Sequence, residues 1–302
     1  MRKNNELLNN LHPLTLLFYS GTLFVISMVF THPLYLMALY LVTLICILSA
    51  GGGSSWKKYF IGSLFMGFFI VVANGLFSPY GNTTAFTVPS ILMFAGKKVS
   101  WESLLYGMNM ALKISLAFNI FCLYEALSDP DKSLRMFARF APKSAVTAIL
   151  TSLMLPRLKR DVENVSLAMN ARGQNIGQGS LLKRVRSVYP LWKVILVSSL
   201  EGAWDTAESM HSRGFGTGKR TNYVRSDWLR RDWIICGFCA LAVFLFTITL
   251  LKGKGFYIFY PSPGTIDISN NIAYCAGVSI PFLCLPLLKI GWEKWNYLRC
   301  KI

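Results

Sequence analysis

Six stretches of this 302-residue chain are long and apolar enough to cross a bilayer, at roughly 14–31, 33–50, 59–77, 103–127, 233–251 and 272–290. A hydrocarbon core of about 30 Å needs about 20 apolar residues in helical form. Inside that core every backbone polar group must pair within the segment, which leaves helices as the natural spanning structure. The pattern therefore predicts an all-α, polytopic membrane protein with about six transmembrane helices. Composition agrees: only 15% of the residues are charged, where a soluble domain carries about 25%.

The turns between spans are marked by local chemistry. His32-Pro33 makes the first turn tight, and Gly51-Gly52-Gly53 ends the second span. The segment 78–102 contains Pro79, Gly81, Asn82, Pro89 and Gly96 and reads as an irregular loop. The segment 252–271, with Gly253, Gly255, Pro261, Pro263 and Gly264, reads the same way. The first apolar run continues toward the next span without a small-residue cleavage site, so no cleavable signal is expected.

Charge sets the orientation. The formal net charge is +17. With the N-terminus inside, 26 basic residues fall on the inner side and four fall outside, namely Lys97, Lys98, Lys252 and Lys254. The positive-inside bias then places both termini and the large basic segment in the cytoplasm. On such a protein the basic excess points to anionic membrane lipid before nucleic acid, and no nucleic-acid partner is expected. Cys236 and Cys239 form a C-x-x-C inside an apolar span, where they read as small helix-packing residues. His12, His32 and His211 are scattered without metal-ligand spacing, so neither a metal site nor a cofactor is expected. His12 and His32 stand beside prolines at span starts and read as interfacial turn residues.

The basic segment divides the chain into a membrane domain at 1–127, a cytoplasmic domain at 128–231 and C-terminal spans at 232–302. Helical periodicity runs through its middle part. Asp129-Pro130 offers a cap and a helix-starting proline, followed by Leu134, Phe137 and Ala141. Pro142 restarts a helix with Val146, Ile149, Leu150 and Leu153 on one face. Pro156 is expected to restart another, with Leu158, Val162, Val165 and Met169 in register. After the linker 174–180, a longer pattern begins near Leu181, and Pro190 is expected to kink or restart it. Val188–Leu200 is only about 13 residues and contains Lys193, too short to cross. Leu200, Ala203, Trp204, Ala207 and Met210 mark one apolar face beyond it.

Two of these helical runs end on the same frame. Residues 168–173 read Ala-Met-Asn-Ala-Arg-Gly, and residues 209–214 read Ser-Met-His-Ser-Arg-Gly. An arginine in a last turn followed by glycine is an ordinary helix ending, since the cation suits the negative helix end and glycine takes the left-handed position. The repetition of the whole frame is what singles these two out. Each end would present one guanidinium whose planar fork can bind a carboxylate or backbone carbonyls of a partner.

At these residues the chain resembles the T component of energy-coupling factor transporters, the transmembrane coupling subunit family that includes cobalt-transport permeases. The likeness includes Leu11-His12-Pro13-Leu14-Thr15 before the first span, the run from Pro156 to Gly173, and Ser212-Arg213-Gly214-Phe215-Gly216. The family carries a pair of Ala-Arg-Gly motifs at the ends of two cytoplasmic coupling helices. Here they correspond to Ala171-Arg172-Gly173 and to Ser212-Arg213-Gly214, where serine keeps a small residue. The resemblance implies that the two arginines dock into two ATP-binding cassette subunits. It implies further that the membrane helices hold a substrate-specific S component, and that the cargo is a vitamin or a transition-metal ion. ATP hydrolysis would belong to the partners, so this chain is not expected to be an enzyme.

The run Gly214–Thr221 superficially resembles a phosphate loop. It lacks the pattern, because Arg213 occupies the place of the first glycine and Arg220 that of the Ser/Thr. Two rival classes stay open on the residues alone: a polytopic membrane enzyme acting on lipid, and a permease that forms its own substrate path. The first lacks clustered ionisable groups at the membrane face. The second should show several intramembrane polar groups, and Lys113 is the main candidate. It lies near the middle of the 103–127 span, where a lysine costs about 2.5–3.5 kcal/mol on insertion scales. Tyr106 and Asn109 precede it at helical spacing. This stripe reads either as an internal structural pair or as a contact for the S component.

Overall fold

The computed structural model describes residues 11–77, 84–87, 98–137, 142–173, 181–218, 228–259, 264 and 268–294. The linker 174–180, the segment 219–221 and the turn residues Pro79, Gly81, Asn82, Pro89, Gly96, Pro261 and Pro263 lie outside the described residues. Among the described residues the chain is all-α apart from one small hairpin, and it divides into two compact units: residues 1–129 with 226–302, and residues 130–225.

The first unit holds the spanning helices. These are α1 (Pro13–Val29), α2 (Pro33–Ala50), α3 (Gly53–Phe77), α4 (Trp101–Leu127), α8 (Arg230–Leu251), and α9 (Ile268–Ser279), which continues through a 3-10 turn at Ile280–Leu283 into α10 (Cys284–Lys294). Five of these paths are 18 residues or longer and apolar enough to cross a membrane, and α1 adds a shorter apolar helix of 17 residues. The chain is thus a multi-pass membrane protein. Leu23, Ile26, Phe30, Tyr35, Leu36, Leu39, Ile47, Leu116 and Phe282 form the centre of a continuous core drawn from α1, α2, α4 and the last span. The segment 78–102 is not irregular throughout, as its Gly and Pro content suggested. Thr84–Thr87 pairs antiparallel with Lys98–Ser100, so the chain folds back on itself there, and Ser100 caps α4 by accepting from the Ser103 amide.

Both His-Pro sites act as helix caps. Nδ1 of His12 accepts from the Leu14 amide at 3.2 Å, and Nδ1 of His32 accepts from the Leu34 amide at 3.3 Å. Proline follows each histidine at the first helical position, where its missing N–H is not needed. Asp232, fully buried at the start of α8, accepts from the backbone amides of His12 and Leu229 and so ties the start of α1 to the start of α8. Burial holds both imidazoles below the ordinary histidine value, and the nearby Asp232 carboxylate opposes burial at His12.

Helix C-termini inside the bundle are closed by other spans. The Lys113 ammonium donates to the Met28 carbonyl at 2.7 Å, and Asn109 Nδ2 donates to the Thr31 carbonyl at 2.9 Å. Lys289 donates to the Ser49 carbonyl near the end of α2. Cations at these places complement the negative ends of the helices. Pro286 has no N–H to offer the Phe282 carbonyl four residues earlier. Tyr19 fills that vacancy, donating to the Phe282 carbonyl at 2.6 Å. The turn at Thr31-His32 is clamped from a second side, because both amides donate to the Gly255 carbonyl and Thr31 Oγ1 accepts from the Tyr257 amide.

α3 packs on α4 through polar pairs and close backbone approach. Trp56 Nε1 donates to Asn119 Oδ1 at 2.9 Å, Tyr59 donates to Glu125 at 2.6 Å, and Ser63 meets Ser115 at 3.2 Å. A Cβ at Gly107 would lie 3.2 Å from the Val71 Cα, so the small residue lets the backbones meet. The opposite side of α3 exposes Phe65, Phe68 and Phe69, a surface suited to lipid.

The second unit contains α5 (Pro130–Phe137), α6 (Pro142–Ala171) and α7 (Leu181–Ser212). Two expectations need correction. Neither Pro156 nor Pro190 restarts a helix: α6 runs through Pro156 for 30 residues and α7 through Pro190 for 32. A proline removes one ladder bond and clashes with the preceding turn, but both sites are followed by long periodic stretches that hold the helix together. On α6 the expected side chains Leu158, Val162, Val165 and Met169 are partly buried. On α7 the packed stripe runs through Leu191, Ile195, Ser199, Gly202, Thr206 and Met210. The face expected from Leu200, Ala203, Trp204 and Ala207 is exposed instead, and only Met210 of that set is packed.

Candidate functional site

The arginine ends are built by helix termination. α6 stops at Ala171 and α7 at Ser212, so Arg172 and Arg213 each occupy the half-helical cap position. Gly173 and Gly214 follow with φ of +82° and +73°, the left-handed region that glycine enters without a Cβ penalty. At the first end the Gly173 amide donates to the Asn170 carbonyl at 2.9 Å, and the Arg172 amide is shared between the carbonyls of Ala168 and Met169. At the second end the Gly214 amide donates to the His211 carbonyl at 2.9 Å, and the Phe215 amide donates to the Met210 carbonyl at 3.0 Å. These two bonds make a complete Schellman closure.

All six residues, Ala171, Arg172, Gly173, Ser212, Arg213 and Gly214, are exposed. Among the described residues neither guanidinium has a hydrogen-bond or ion-pair partner. Each end therefore offers five N–H donors in a planar fork, on a backbone fixed by its own closure. An exposed, uncompensated arginine contributes little to folding, which leaves it available for binding. Among the described residues no group of His, Cys, Asp or Glu is arranged to hold a metal ion.

Tyr106, Asn109 and Lys113 belong to α4 in the first unit, not to the unit that carries these ends. Asn109 and Lys113 are buried and hold the carbonyls at the end of α1. Tyr106 is partly exposed and meets the Phe259 ring edge-on at 5.6 Å.

The second end has features beyond the shared frame. Thr217 Oγ1 donates to the Gly214 carbonyl at 2.7 Å, and Gly216 is again left-handed at φ +94°. The alternation of Gly214 and Gly216 about one aromatic residue was the available signal. In the sequence it belongs both to the family likeness and to a false phosphate loop, and in the fold it comes directly after a helix.

Fold and site define a class: a polytopic α-helical membrane protein that carries, in a separate helical unit, two exposed arginines at helix ends. The cobalt transport protein family CbiQ matches residues 4–224, and the chain belongs to that family. It is similar to the energy-coupling factor transporter transmembrane protein EcfT of Bacillus selenitireducens, with 27% identity over 72% of this chain and 83% of the relative. The EcfT of Streptococcus thermophilus is 27% identical over 62% of this chain and 75% of its own length. That of Lactococcus lactis subsp. cremoris is 36% identical over a shorter stretch, 32% of this chain and 35% of the relative. The chain is a T component of the EcfT/CbiQ family, a transmembrane transport component and not itself an enzyme.

Proposed function

We propose that this chain is the coupling subunit of an importer for a vitamin or a transition-metal ion. It binds two ABC ATPase subunits through its helix ends and a membrane-embedded S component through other surfaces. The observation that carries this reading is the matched pair of closed helix ends, each leaving an arginine exposed with no partner among the described residues. Arg172 and Arg213 are the ATPase contacts, and Ala171, Gly173, Ser212 and Gly214 are the small residues that let a groove wall approach them. ATP-driven movement of the ATPases is passed through α6 and α7, and an S component is reoriented as a result. Residues 128–231 form the cytoplasmic coupling domain, and both termini lie in the cytoplasm of a cell whose plasma membrane holds the protein. In the Tyr106, Asn109 and Lys113 stripe, the amide and ammonium act as supports for the α1–α2 turn. Tyr106, partly exposed on the same stripe, is its proposed S-component contact.

The test is the double variant Arg172→Ala with Arg213→Ala. Truncating one partner of a buried charge-assisted contact across an interface costs about 2–5 kcal/mol. The variant should insert and fold normally, lose copurification with its ATPases and lose uptake. Normal ATPase association together with normal uptake would overturn the reading.

A further inference from the structure

The two arginine ends share a backbone scheme, but the residues beyond each arginine differ. Two residues past Arg213 stands Phe215, with half of its surface exposed. Two residues past Arg172 the chain has Gln174. In a Schellman closure the residue at Phe215's position commonly packs on the one five places earlier. Here that residue is Met210, itself only partly buried, and Phe215 still leaves 50% of its surface open. The turn that carries Phe215 is firmly held. Its amide is bonded to Met210, left-handed glycines stand on both sides of it, and Thr217 bonds back to Gly214 through both its amide, at 3.2 Å, and its hydroxyl, at 2.7 Å.

An aromatic ring and an arginine side by side on a preordered turn are the residue types that dominate binding energy in interfaces. Rigidity before binding lowers the cost of ordering them. We infer that Phe215 is an apolar anchor for the ATPase subunit that receives Arg213, whereas the matching position at the Arg172 end is a glutamine, Gln174. The two ends then demand unlike grooves: one with an apolar pocket beside the guanidinium acceptor, the other with a polar wall. This rests on the reading of the arginine ends as ATPase docking sites.

Binding of purified cognate ATPase subunits to the full-length chain in detergent tests it. In an Arg172→Ala background, where the second end carries the binding, Phe215→Gln should weaken ATPase binding about tenfold, the scale of an interface anchor. Phe215→Leu should recover most of the loss. In an Arg213→Ala background Phe215→Gln should change binding by less than about twofold, since sites with no shared partner act independently. The melting temperature should be unaltered throughout, because the Phe215 amide keeps its bond to Met210. An equal loss in both backgrounds would make Phe215 a purely structural residue. No loss in the first background would also overturn the proposal, and the docking reading would survive if each arginine variant alone still weakened binding. If neither arginine variant weakens binding, the docking reading falls and this proposal falls with it.

Discussion

The Lys113 ammonium donates to the main-chain carbonyl of Met28, so a cation on α4 closes the C-terminal end of α1. Met28 lies 85 residues earlier in the chain, and the lysine that reaches it is only 9% exposed. Replacing it by leucine strands a carbonyl in an apolar bundle. Removing one hydrogen-bond partner at such a place costs about 1–3 kcal/mol. Lys113→Leu should therefore lower the melting temperature of the detergent-solubilised protein, and Asn109→Leu should do the same through Thr31. A stable Lys113→Leu variant that no longer copurifies with an S component would instead make the stripe a direct contact. A stable variant that keeps its partner and full uptake would defeat both readings.

Gly255 has φ +106°, and a Cβ there would fall 2.5 Å from two atoms of the Phe30 ring. Phe30 is fully buried and also packs against the rings of Tyr35 and Phe246, so it has little room to retreat. Gly255→Ala combines backbone strain with overpacking, each worth about 1–3 kcal/mol. Thermal unfolding should register a loss larger than that of Gly253→Ala, where φ is +68° and the added Cβ meets nothing within 4 Å. Equal losses at the two sites would mean that the Phe30 contact contributes nothing.

Acid should destabilise the caps of α1 and α2. Burial holds His12 and His32 below the ordinary value of 6.5, and each uses its neutral Nδ1 to accept an amide proton. The unfolded chain takes up protons first as pH falls. The stability these caps provide is thus complete above about pH 6.5 and declines as pH drops below it. Asparagine also caps helices well and does not titrate. Melting curves between about pH 8 and about pH 5 should show a shallower acid loss in the His12→Asn, His32→Asn double variant than in the parent.

The topology can be read with single cysteines in a background whose native cysteines are replaced. Membrane-impermeant reagent should label positions 82 and 262 from outside intact cells, and should reach position 180 only after permeabilisation. External labelling at position 180 would reverse the orientation and remove the arginine ends from the compartment where ATP is used.

Much of this was legible in local chemistry. The spans follow from apolar length, the turns at His12 and His32 from His-Pro pairs, and the arginine ends from a repeated frame with glycine in the position that demands it; that both histidines also cap a helix came from the structure. The features that escaped depend on partners distant in sequence. Pro156 and Pro190 look like helix restarts because a proline's cost is local, whereas each helix continues through its proline on both sides. The stripe of Leu200, Ala203, Trp204 and Ala207 reads as a core face by periodicity, yet the packed side of α7 is the one with Ser199, Gly202 and Thr206, where small side chains allow close approach. Arg157 lies near Gly202, and a Cβ on that glycine would come within 3.8 Å of its guanidinium. A structural role for Lys113 is suggested by its position in a span, but its acceptor, the Met28 carbonyl, lies on another helix and no spacing rule names it.

The unbroken course of α6 has a mechanical consequence. Thirty residues at about 1.5 Å each make a rod of about 45 Å. A tilt of about 5° about one end carries the other end roughly 4 Å along its arc. Pro156 lies at the midpoint of that rod, where one ladder bond is missing. If Arg172 is the docking point proposed above, a stroke delivered there is divided between rotation of the whole rod and flexure at Pro156, and replacing that proline would change the division.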